Sequence, residues 1–283
     1  MRLPGPIISA NWLKEHLDDP DVVVIDATVH LPDTGRDAKA EYEVEHIPGA
    51  VFFDLEVIAD PNNPRPRKIP PLELFVREIG KLGIDAGKRV VAYDTLGLYS
   101  AARVWWLFLQ YGYDNVSVLD GGMVAWRLQG GATECGVVKR AATGFTPGPP
   151  QNLLALWTDV LEVSKSGGQI VDARTRGRWA GTEIDRYPGT RAGHIPGSTN
   201  LYWADLLDPK TRCFLPQDVV REKFERAGLR LDEPVTISCG SGLTACILAI
   251  ALRNIGKDDW RVYDGSWDEW GRNHNLPVEM EAQ

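Results

Sequence analysis

The sequence predicts an α/β protein of two tandem domains, each a doubly wound parallel sheet flanked by helices. Its 283 residues, 43% of them hydrophobic, are enough to bury two ordinary cores. Segments of the first half recur in the second half in the same order. Within each half, short β-branched runs alternate with longer helical patterns. These three observations together favour two α/β domains over one large domain.

Three pairs of segments show the internal repeat. They are "VVVIDATVH" and "GQIVDARTR", "EHIPGAVFFDL" and "GHIPGSTNLYWADLL", and "SVLDGGMVAW" and "RVYDGSWDEW". The members of each pair are separated by nearly the same length of chain, which indicates a tandem duplication rather than chance similarity.

The boundary between the copies is predicted from composition. The stretch "KRAATGFTPGPPQ", residues 139–151, is rich in proline, glycine and small residues, which sustain neither a helix nor a central strand. We therefore predict a first domain at 1–140, a linker at 141–151 and a second domain at 152–283.

The order of elements within each copy predicts parallel strands. In the first copy "RVVAYD" precedes the helical pattern "SAARVWWLFLQYG", and "VSVLDGG" follows it. A strand, a crossover helix and a second strand form a βαβ unit, and such units build parallel sheets. Ligands of these sheets bind at the carboxyl ends of the strands. In the second copy Cys239 comes directly after the strand-like "PVTIS" and is therefore predicted at that edge.

Charge and composition exclude several classes of function. The formal net charge of −8 disfavours binding to nucleic acid or to an acidic membrane surface. No run approaches the 18 or more apolar residues of a membrane helix, and the N-terminal segment lacks the apolar core of a signal peptide. Four cysteines are too few for a disulfide scaffold and show no metal-type spacing. We expect reduced thiols in a cytoplasmic protein, with no metal or organic cofactor.

Cys239 has two competing interpretations. Free cysteine is commonly a buried and inert residue. Here, however, "CGSGLTA" places it in a glycine-containing loop between a strand and a helix. Such a loop points main-chain N–H groups and the positive end of the helix dipole at the sulfur, which favours the nucleophilic thiolate. We therefore predict that Cys239 is reactive, whereas Cys246, within the apolar helical run, is predicted to be a core residue.

The first copy lacks this nucleophile. It has "AYDTLGLYSAAR" where the second has "ISCGSGLTAC", so Asp94 takes the place of Cys239 and the loop is one residue longer. A carboxylate cannot attack as a thiolate does. The first domain is therefore predicted to be catalytically silent.

These motifs resemble the tandem rhodanese-fold sulfurtransferases, most of all their 3-mercaptopyruvate type. The resemblance covers nearly the whole chain and includes "GLYSAARVWW", "LDGGMVAW", "CGSGLTA" and "YDGSWDEW" in the family order. It implies five-stranded parallel sheets, a catalytic second domain and a persulfide on Cys239 that passes sulfur to a thiol or cyanide acceptor, for which thioredoxin is a candidate. It also implies that uncharged residues after the cysteine, here Gly240 and Ser241, indicate a mercaptopyruvate enzyme rather than a thiosulfate enzyme.

The resemblance also suggests site residues. The active-site loop is Cys239 to Thr244, in which Ser241 is a catalytic candidate and Gly240, Gly242, Leu243 and Thr244 complete the loop. In "GRWAGTEIDRYPGTRAGH" the first substrate-binding arginine of the family corresponds to Arg178. The second falls one position from Arg186, and Arg191 is the alternative. A guanidinium group suits the carboxylate of an α-keto acid because it can bind it bidentately.

The sequence departs from the family at one place. Mercaptopyruvate enzymes have an aspartate and a histidine after the first "FFD", proposed to form a proton relay with the loop serine. This sequence has Glu56 and Arg67 there, which puts a relay through Ser241 in question. His46 and His194 lie in "HIPG" turns of both copies, including the silent one, and are predicted to be structural.

Three functions remain open at this stage. The first is sulfur transfer through Cys239, from 3-mercaptopyruvate or, alternatively, from thiosulfate. The second is a cysteine phosphatase, which is disfavoured because Thr244 and Ala245 close the loop where that chemistry needs an arginine. The third is a non-enzymatic sulfur-binding module.

Overall fold

The computed structural model describes residues 2–281, which form two compact units. The first unit runs up to Gln151 and also includes Pro209–Cys213. The second unit comprises Asn152–Asp208 and the chain from Phe214 onward.

The first unit contains a five-stranded parallel sheet. Its strands lie in the order β1-β5-β4-β2-β3. The elements in chain order are β1 (Ile7–Ile8), α1 (Ala10–His16), β2 (Val22–Asp26), α2 (Ala38–Val44), β3 (Val51–Phe52), α3 (Leu72–Lys81), β4 (Arg89–Tyr93), α4 (Ala101–Gln110), β5 (Val116–Leu119) and α5 (Gly122–Leu128), with a short 3₁₀ turn at Pro32–Thr34.

The second unit repeats this topology. Its five parallel strands lie in the order β6-β10-β9-β7-β8. The elements are β6 (Leu154–Ala155), α6 (Trp157–Ser166), β7 (Gln169–Asp172), α7 (Arg176–Ala180), β8 (Ser198–Asn200), α8 (Gln217–Arg226), β9 (Val235–Ser238), α9 (Ala245–Asn254), β10 (Trp260–Tyr263) and α10 (Ser266–Trp270), with a 3₁₀ turn at Trp203–Leu206.

The central strand of each sheet is fully buried, because both of its faces are covered. Every residue of β4 and of β9 is buried, which is typical of parallel sheets with helices on both faces. The helix after β9 is apolar almost all round, and Ala245–Leu252 of α9 are all buried. Since neighbouring strands are parallel, their carboxyl ends share one edge of the sheet, and Cys239 lies there between β9 and α9.

The predicted fold class is confirmed, two five-stranded parallel α/β units included. The predicted strand "PVTIS" and helix "TACILAIALRNIG" are observed as β9 and α9 with slightly shorter bounds. Among residues 2–281, no helix is both long and apolar enough to cross a lipid bilayer.

The stretch predicted to be a linker packs instead on the first unit. Phe145 is buried, and its ring contacts those of Phe75, Phe108 and Tyr113. Residues 141–151 therefore belong to the first unit up to Gln151. A proline- and glycine-rich stretch is poorly suited to a helix. The buried Phe145 ring holds it on the first unit, together with hydrogen bonds from the N–H groups of Thr143 and Gln151 to the carbonyls of Gly80 and Gln110.

Candidate active site

The thiol of Cys239 lies in a main-chain cradle at the end of β9. Its side chain is almost completely buried, and the N–H of Gly242 donates a hydrogen bond to the sulfur at 3.1 Å. The carbonyl of Cys239 accepts from the N–H of Trp267 at 3.0 Å, which ties the loop to the start of α10. A main-chain donor and a helix start therefore lie beside the sulfur, the arrangement that suits a group carrying negative charge during a reaction.

Ser266 supports the cradle from α10. Its hydroxyl accepts a hydrogen bond from the N–H of Cys239 at 3.1 Å and donates to the carbonyl of Tyr263 at 2.7 Å. The hydroxyl oxygen lies 3.8 Å from the Cys239 sulfur. Ser266 has a φ of +51°, a conformation that is strained for any residue with a side chain. A strained backbone is retained where other contacts of the residue compensate for it. Here the compensating contact is the hydrogen bond from the main-chain N–H of Cys239 to the Ser266 hydroxyl.

The rest of the predicted loop surrounds this sulfur. Gly242 and Leu243 are buried, whereas Ser241 and Thr244 are half-buried. Thr244 is the residue that precedes the first turn of α9. Cys246 is fully buried, and its thiol donates to the carbonyl of Gly242 at 3.3 Å, in agreement with the predicted core position.

Arg178 is held in a fixed orientation at the end of α7. Its Nε donates to the hydroxyl of Thr175 at 3.1 Å and lies 3.4 Å from a carboxylate oxygen of Glu183. The side chain is only 14% exposed. Within residues 2–281 its two terminal nitrogens make no hydrogen bond, so they remain available to a ligand.

The other two candidate arginines differ from each other. The side chain of Arg186 is exposed, and its main-chain N–H donates to the carboxylate of Asp185 at 2.7 Å. The guanidinium of Arg191 instead donates to four main-chain carbonyls, those of Gly271, Leu276, Trp270 and Asn273. Burial lowers the pKa of Arg191 from its ordinary value. The guanidinium donors of Arg191 are therefore used to hold the end of α10 and the residues after it, whereas the side chain of Arg186 is exposed.

The loop between α7 and β8 reaches the cysteine loop through Tyr187. The ring of Tyr187 lies against Gly240, close enough that a Cβ placed on Gly240 would be 2.6 Å from the ring carbon Cε2. This contact brings the segment that carries Arg178 and Arg186 to the loop that carries Cys239.

The loop at the corresponding place in the first unit holds a carboxylate. Asp94 is fully buried and accepts hydrogen bonds from the N–H groups of Leu96, Ser100 and Ala101 at 2.8 to 2.9 Å. Burial raises the pKa of Asp94, and the amide donors oppose that rise. The cradle is thus filled by the protein's own side chain.

Glu56 and Arg67 form an ion pair in the first unit. The Arg67 side chain is largely buried, its carbonyl accepts from Arg103 at 3.0 Å, and its φ is +58°. Where the family resemblance implies an aspartate and a histidine, this chain has the Glu56–Arg67 ion pair. Its guanidinium group stays charged near neutral pH and cannot release a proton.

The histidines of the two "HIPG" turns are structural, as predicted. His46 and His194 are buried, and the Nδ1 of each forms a hydrogen bond with a main-chain carbonyl, that of Tyr42 at 2.7 Å and that of Trp179 at 2.8 Å. Each imidazole ring also stacks on the ring of the same partner.

Several residues of the site were not identified from the sequence. Ser266 and Tyr187 act through contacts that join distant parts of the chain, whereas Thr175 and Glu183 contact Arg178 from nearby positions in the sequence. One signal was available for Ser266. The first copy has Gly122 at the corresponding place in "LDGG", so the two copies differ beside the nucleophile as well as at it.

Comparison with known proteins identifies the family. The Rhodanese-like domain matches residues 9–129 and again residues 157–273. The chain therefore belongs to the rhodanese-like family, and within it to the sulfurtransferases that carry two such domains.

Individual relatives span nearly the full chain. The 3-mercaptopyruvate sulfurtransferase of Escherichia coli K12 is 37% identical, with 96% of this chain and 97% of the relative aligned. The human 3-mercaptopyruvate sulfurtransferase is 38% identical over 93% of this chain and 91% of its own length. An Arabidopsis thaliana relative named thiosulfate/3-mercaptopyruvate sulfurtransferase 1, mitochondrial, is 37% identical over 97% of this chain and 78% of its own length.

Solved structures agree with this assignment. The crystal structure of SseA from Escherichia coli, described as a 3-mercaptopyruvate sulfotransferase, superposes with a TM-score of 0.84 at 35% identity and covers 93% of this chain and 99% of SseA. The Tum1 protein of Saccharomyces cerevisiae superposes with a TM-score of 0.89 at 26% identity, covering 98% of this chain and 99% of Tum1.

Proposed function

We propose that the protein transfers sulfur from 3-mercaptopyruvate, through a persulfide on Cys239, to a thiol or cyanide acceptor. The observation that carries this proposal is the Cys239 sulfur, held in an N–H cradle at the end of β9 beside an uncharged Gly240-Ser241 pair. The sulfurtransferase relatives, aligned over nearly the whole chain, support the same reaction class.

The first half-reaction forms the persulfide. The Cys239 thiolate attacks the sulfur of mercaptopyruvate, and the carbon–sulfur bond breaks with its electron pair going to carbon. The product is the enolate of pyruvate, which takes a proton to become pyruvate. The cradle that favours the thiolate also stabilises the negative charge of the persulfide.

The second half-reaction removes the outer sulfur atom from Cys239. An acceptor thiolate attacks the outer sulfur, forms its own persulfide and returns Cys239 as a thiolate, whereas cyanide takes the same sulfur as thiocyanate. Because Cys239 is about 1% exposed, bulk water is largely kept from the reacting sulfur.

Arg178 and Arg186 are proposed to bind the donor's carboxylate. The terminal nitrogens of Arg178 are oriented by Thr175 and Glu183, and the side chain of Arg186 extends from the segment that contacts Gly240 through Tyr187. Ser241 lies two residues after Cys239 and is the hydroxyl that we propose for directing a proton to the enolate. Gly242, Leu243 and Thr244 complete the loop and the start of α9.

The donor preference follows from charge. Thiosulfate leaves as sulfite, a dianion whose departure is aided by positive charge beside the nucleophile. Gly240 and Ser241 carry no charge, so this loop gives thiosulfate no such aid. The alternative donor, thiosulfate, stands beside 3-mercaptopyruvate in the name of the Arabidopsis thaliana relative.

The acceptor and the compartment are proposed from sulfur chemistry. A dithiol protein of the thioredoxin type is a suitable acceptor, because its second thiol displaces the transferred sulfur as sulfide. A reducing compartment, the cytoplasm, suits the four cysteines, which are all free thiols.

Side-by-side kinetics test the proposal. The wild-type protein is assayed with 3-mercaptopyruvate and with thiosulfate, using the same cyanide acceptor. We expect turnover with both donors and the higher kcat/KM with mercaptopyruvate. A higher kcat/KM with thiosulfate would contradict the donor assignment, and absence of turnover with either would leave only a sulfur-binding module.

A further inference from the structure

A buried arginine, Arg174, lies in the second unit just beyond the end of β7. Its side chain is 1% exposed and forms ion pairs with Asp172 and with Asp185, each at 2.8 Å. Its Nη2 also donates to the carbonyl of Gly193 at 2.9 Å, and its Nε donates to Asp172. Because all three of its nitrogens donate to acceptors, the guanidinium is held in one orientation.

This guanidinium lies over the indole of Trp267. Its central carbon is 4.4 Å from the ring centroid, which is a cation–π contact. The edge of the ring is held as well, since Nε1 of Trp267 donates to the carbonyl of Arg191 at 3.1 Å. Arg174 and Trp267 are both buried, and a cation–π contact is strongest where water is excluded. Arg174 therefore fixes the position of the residue that follows Ser266.

The main chain at the start of α10 holds the loop of the nucleophile. The N–H of Trp267 donates to the carbonyl of Cys239 at 3.0 Å, and the N–H of Asp268 donates to the carbonyl of Gly240 at 2.8 Å. In a trans peptide the N–H points opposite to the C=O, so both bonds turn the N–H groups of these peptides away from α10. They fix the peptide planes that lead from Cys239 toward Gly242, whose N–H donates to the sulfur.

The first unit lacks both members of the cation–π contact. In the repeated segments "VIDATVH" and "IVDARTR", Thr28 stands at the place of Arg174. Met123 stands at the place of Trp267, and its N–H makes the same main-chain bond, to the carbonyl of Asp94. Of the two loops, the one that holds a thiol is thus the one that has both the cation and the indole.

We propose that Arg174 is a positioning residue of the Cys239 site. It holds the indole of Trp267, and the main chain at Trp267 holds the loop in which the sulfur reacts. Among residues 2–281 none of its hydrogen bonds reaches Cys239, so its effect passes through Trp267. This inference rests on the proposed function.

Substitutions on both sides of the contact test the inference. Arg174→Lys keeps the charge but loses the planar fork, whereas Trp267→Leu removes the ring and leaves the ion pairs intact. Trp267→Phe is the conservative variant, since it loses the Nε1 hydrogen bond as Trp267→Leu does but keeps an aromatic ring. Arg89→Lys is the matched control, because Arg89 is a buried arginine of the first unit that pairs with Asp19 and Asp21.

Amide hydrogen exchange, followed by NMR, reads the hold on the loop without any sulfur donor. The probe is the N–H of Asp268, and the N–H of Val262, bonded to the carbonyl of Leu153, reports the stability of the second unit as a whole. We expect Arg174→Lys and Trp267→Leu to speed exchange at Asp268 by about tenfold more than at Val262, the scale of one buried cation–π contact. Arg89→Lys should change neither probe relative to the other.

Steady-state kinetics with 3-mercaptopyruvate read the effect on the reaction. We expect kcat to fall about tenfold in Arg174→Lys and in Trp267→Leu, with KM changed less than about twofold. The reason is that a displaced loop stabilises charge in the transition state less well but does not bind the donor's carboxylate. Trp267→Phe should recover most of the loss, and the variant that combines Arg174→Lys with Trp267→Leu should lose no more than either alone. Arg89→Lys should leave kcat and KM unchanged.

Two results would overturn the inference. One is unchanged exchange at Asp268, relative to Val262, in a folded Arg174→Lys or Trp267→Leu variant. The other is a set of kcat losses that add in the combined variant, because Arg174 would then act independently of Trp267. If Arg174→Lys does not fold, the comparison of Trp267→Leu with Trp267→Phe decides by the same exchange ratio. Since exchange needs no substrate, a wild type without turnover refutes the proposed function alone, and the hold on the loop is still measured.

Discussion

A loop and a helix follow strand β4 in the first unit and strand β9 in the second. The two loops differ in the side chain that they hold. In the first unit three N–H groups donate to the carboxylate of Asp94. In the second unit the N–H of Gly242 donates to the sulfur of Cys239. The carboxylate of Asp94 occupies its N–H donors itself, whereas the sulfur of Cys239 can bind a second sulfur atom as a persulfide. The strand–loop–helix arrangement is common to both units, and we propose that the side chain inside the loop decides whether a unit reacts.

A second difference lies beside the loops. Gly122 in the first unit and Ser266 in the second both have a φ of +51°. The residue after each donates its N–H to the carbonyl of the cradle residue, Met123 to Asp94 and Trp267 to Cys239, each at 3.0 Å. The first unit adopts this conformation with glycine, at little strain. The second unit keeps a serine there, and its hydroxyl hydrogen-bonds to the N–H of Cys239.

Removal of the nucleophile should have the largest effect. Cys239→Ser replaces the thiolate by a hydroxyl that is a poor nucleophile at neutral pH. We expect kcat to fall at least about a thousandfold with either donor. Steady-state kinetics measure this, and a variant that retained most of its turnover would show that another group carries the sulfur.

Loss of the anchored arginine should be the next largest effect. Arg178→Ala removes a preorganised cation, so we expect a loss of about 2 to 4 kcal/mol of transition-state stabilisation, larger with mercaptopyruvate than with thiosulfate. Arg226→Ala is the matched control, because Arg226 is 76% exposed on α8 and pairs with Glu222. Equal losses with the two donors would mean that Arg178 only shapes the site.

Two substitutions of Ser266 separate the role of its hydroxyl from the effect of its positive φ. Ser266→Ala and Ser266→Gly both remove the acceptor for the Cys239 N–H, and we expect kcat/KM to fall about tenfold in each. The glycine variant should be more stable than the alanine variant by about 1 kcal/mol, because glycine adopts positive φ freely. Kinetics and thermal denaturation read the two effects separately. Unchanged kinetics in both variants would assign Ser266 to the fold alone.

Asp94 should affect stability rather than chemistry. Asp94→Ala leaves two buried N–H groups and one part-buried N–H group without their acceptor, and we expect a loss of about 1 to 3 kcal/mol of unfolding free energy. Asp94→Asn keeps one acceptor oxygen and should lose less. In both variants kcat should stay close to the wild-type value. A collapse of kcat in a folded variant would contradict the division between a silent and a catalytic unit.

The sequence predicted the fold well because the repeat and the βαβ order are local patterns. The central strands and helices β4, α4, β9 and α9 were all identified within a few residues. The packing of residues 141–151 was missed, because the contact of Phe145 with distant aromatic rings leaves no local pattern.

Sequence reasoning located only the part of the candidate site that lies within one continuous motif. Cys239 and its loop were identified because one continuous segment contains the strand end, the loop and the helix start. Spacing could not distinguish Arg186 from Arg191, because the four carbonyls that accept from Arg191 belong to the end of α10 and the residues after it. Tyr187 was missed for the same reason, because its contact with Gly240 joins distant parts of the chain.

Mass spectrometry of the protein after treatment with 3-mercaptopyruvate tests directly whether Cys239 carries the transferred sulfur. The protein is treated with 3-mercaptopyruvate without an acceptor, digested without reductant and compared with an untreated sample. We expect a gain of one sulfur atom on the peptide that contains Cys239, lost again on addition of cyanide, and no gain on the peptides that contain Cys135, Cys213 or Asp94. A gain on another cysteine in the Cys239→Ser variant, with turnover retained, would show that Cys239 does not carry the sulfur.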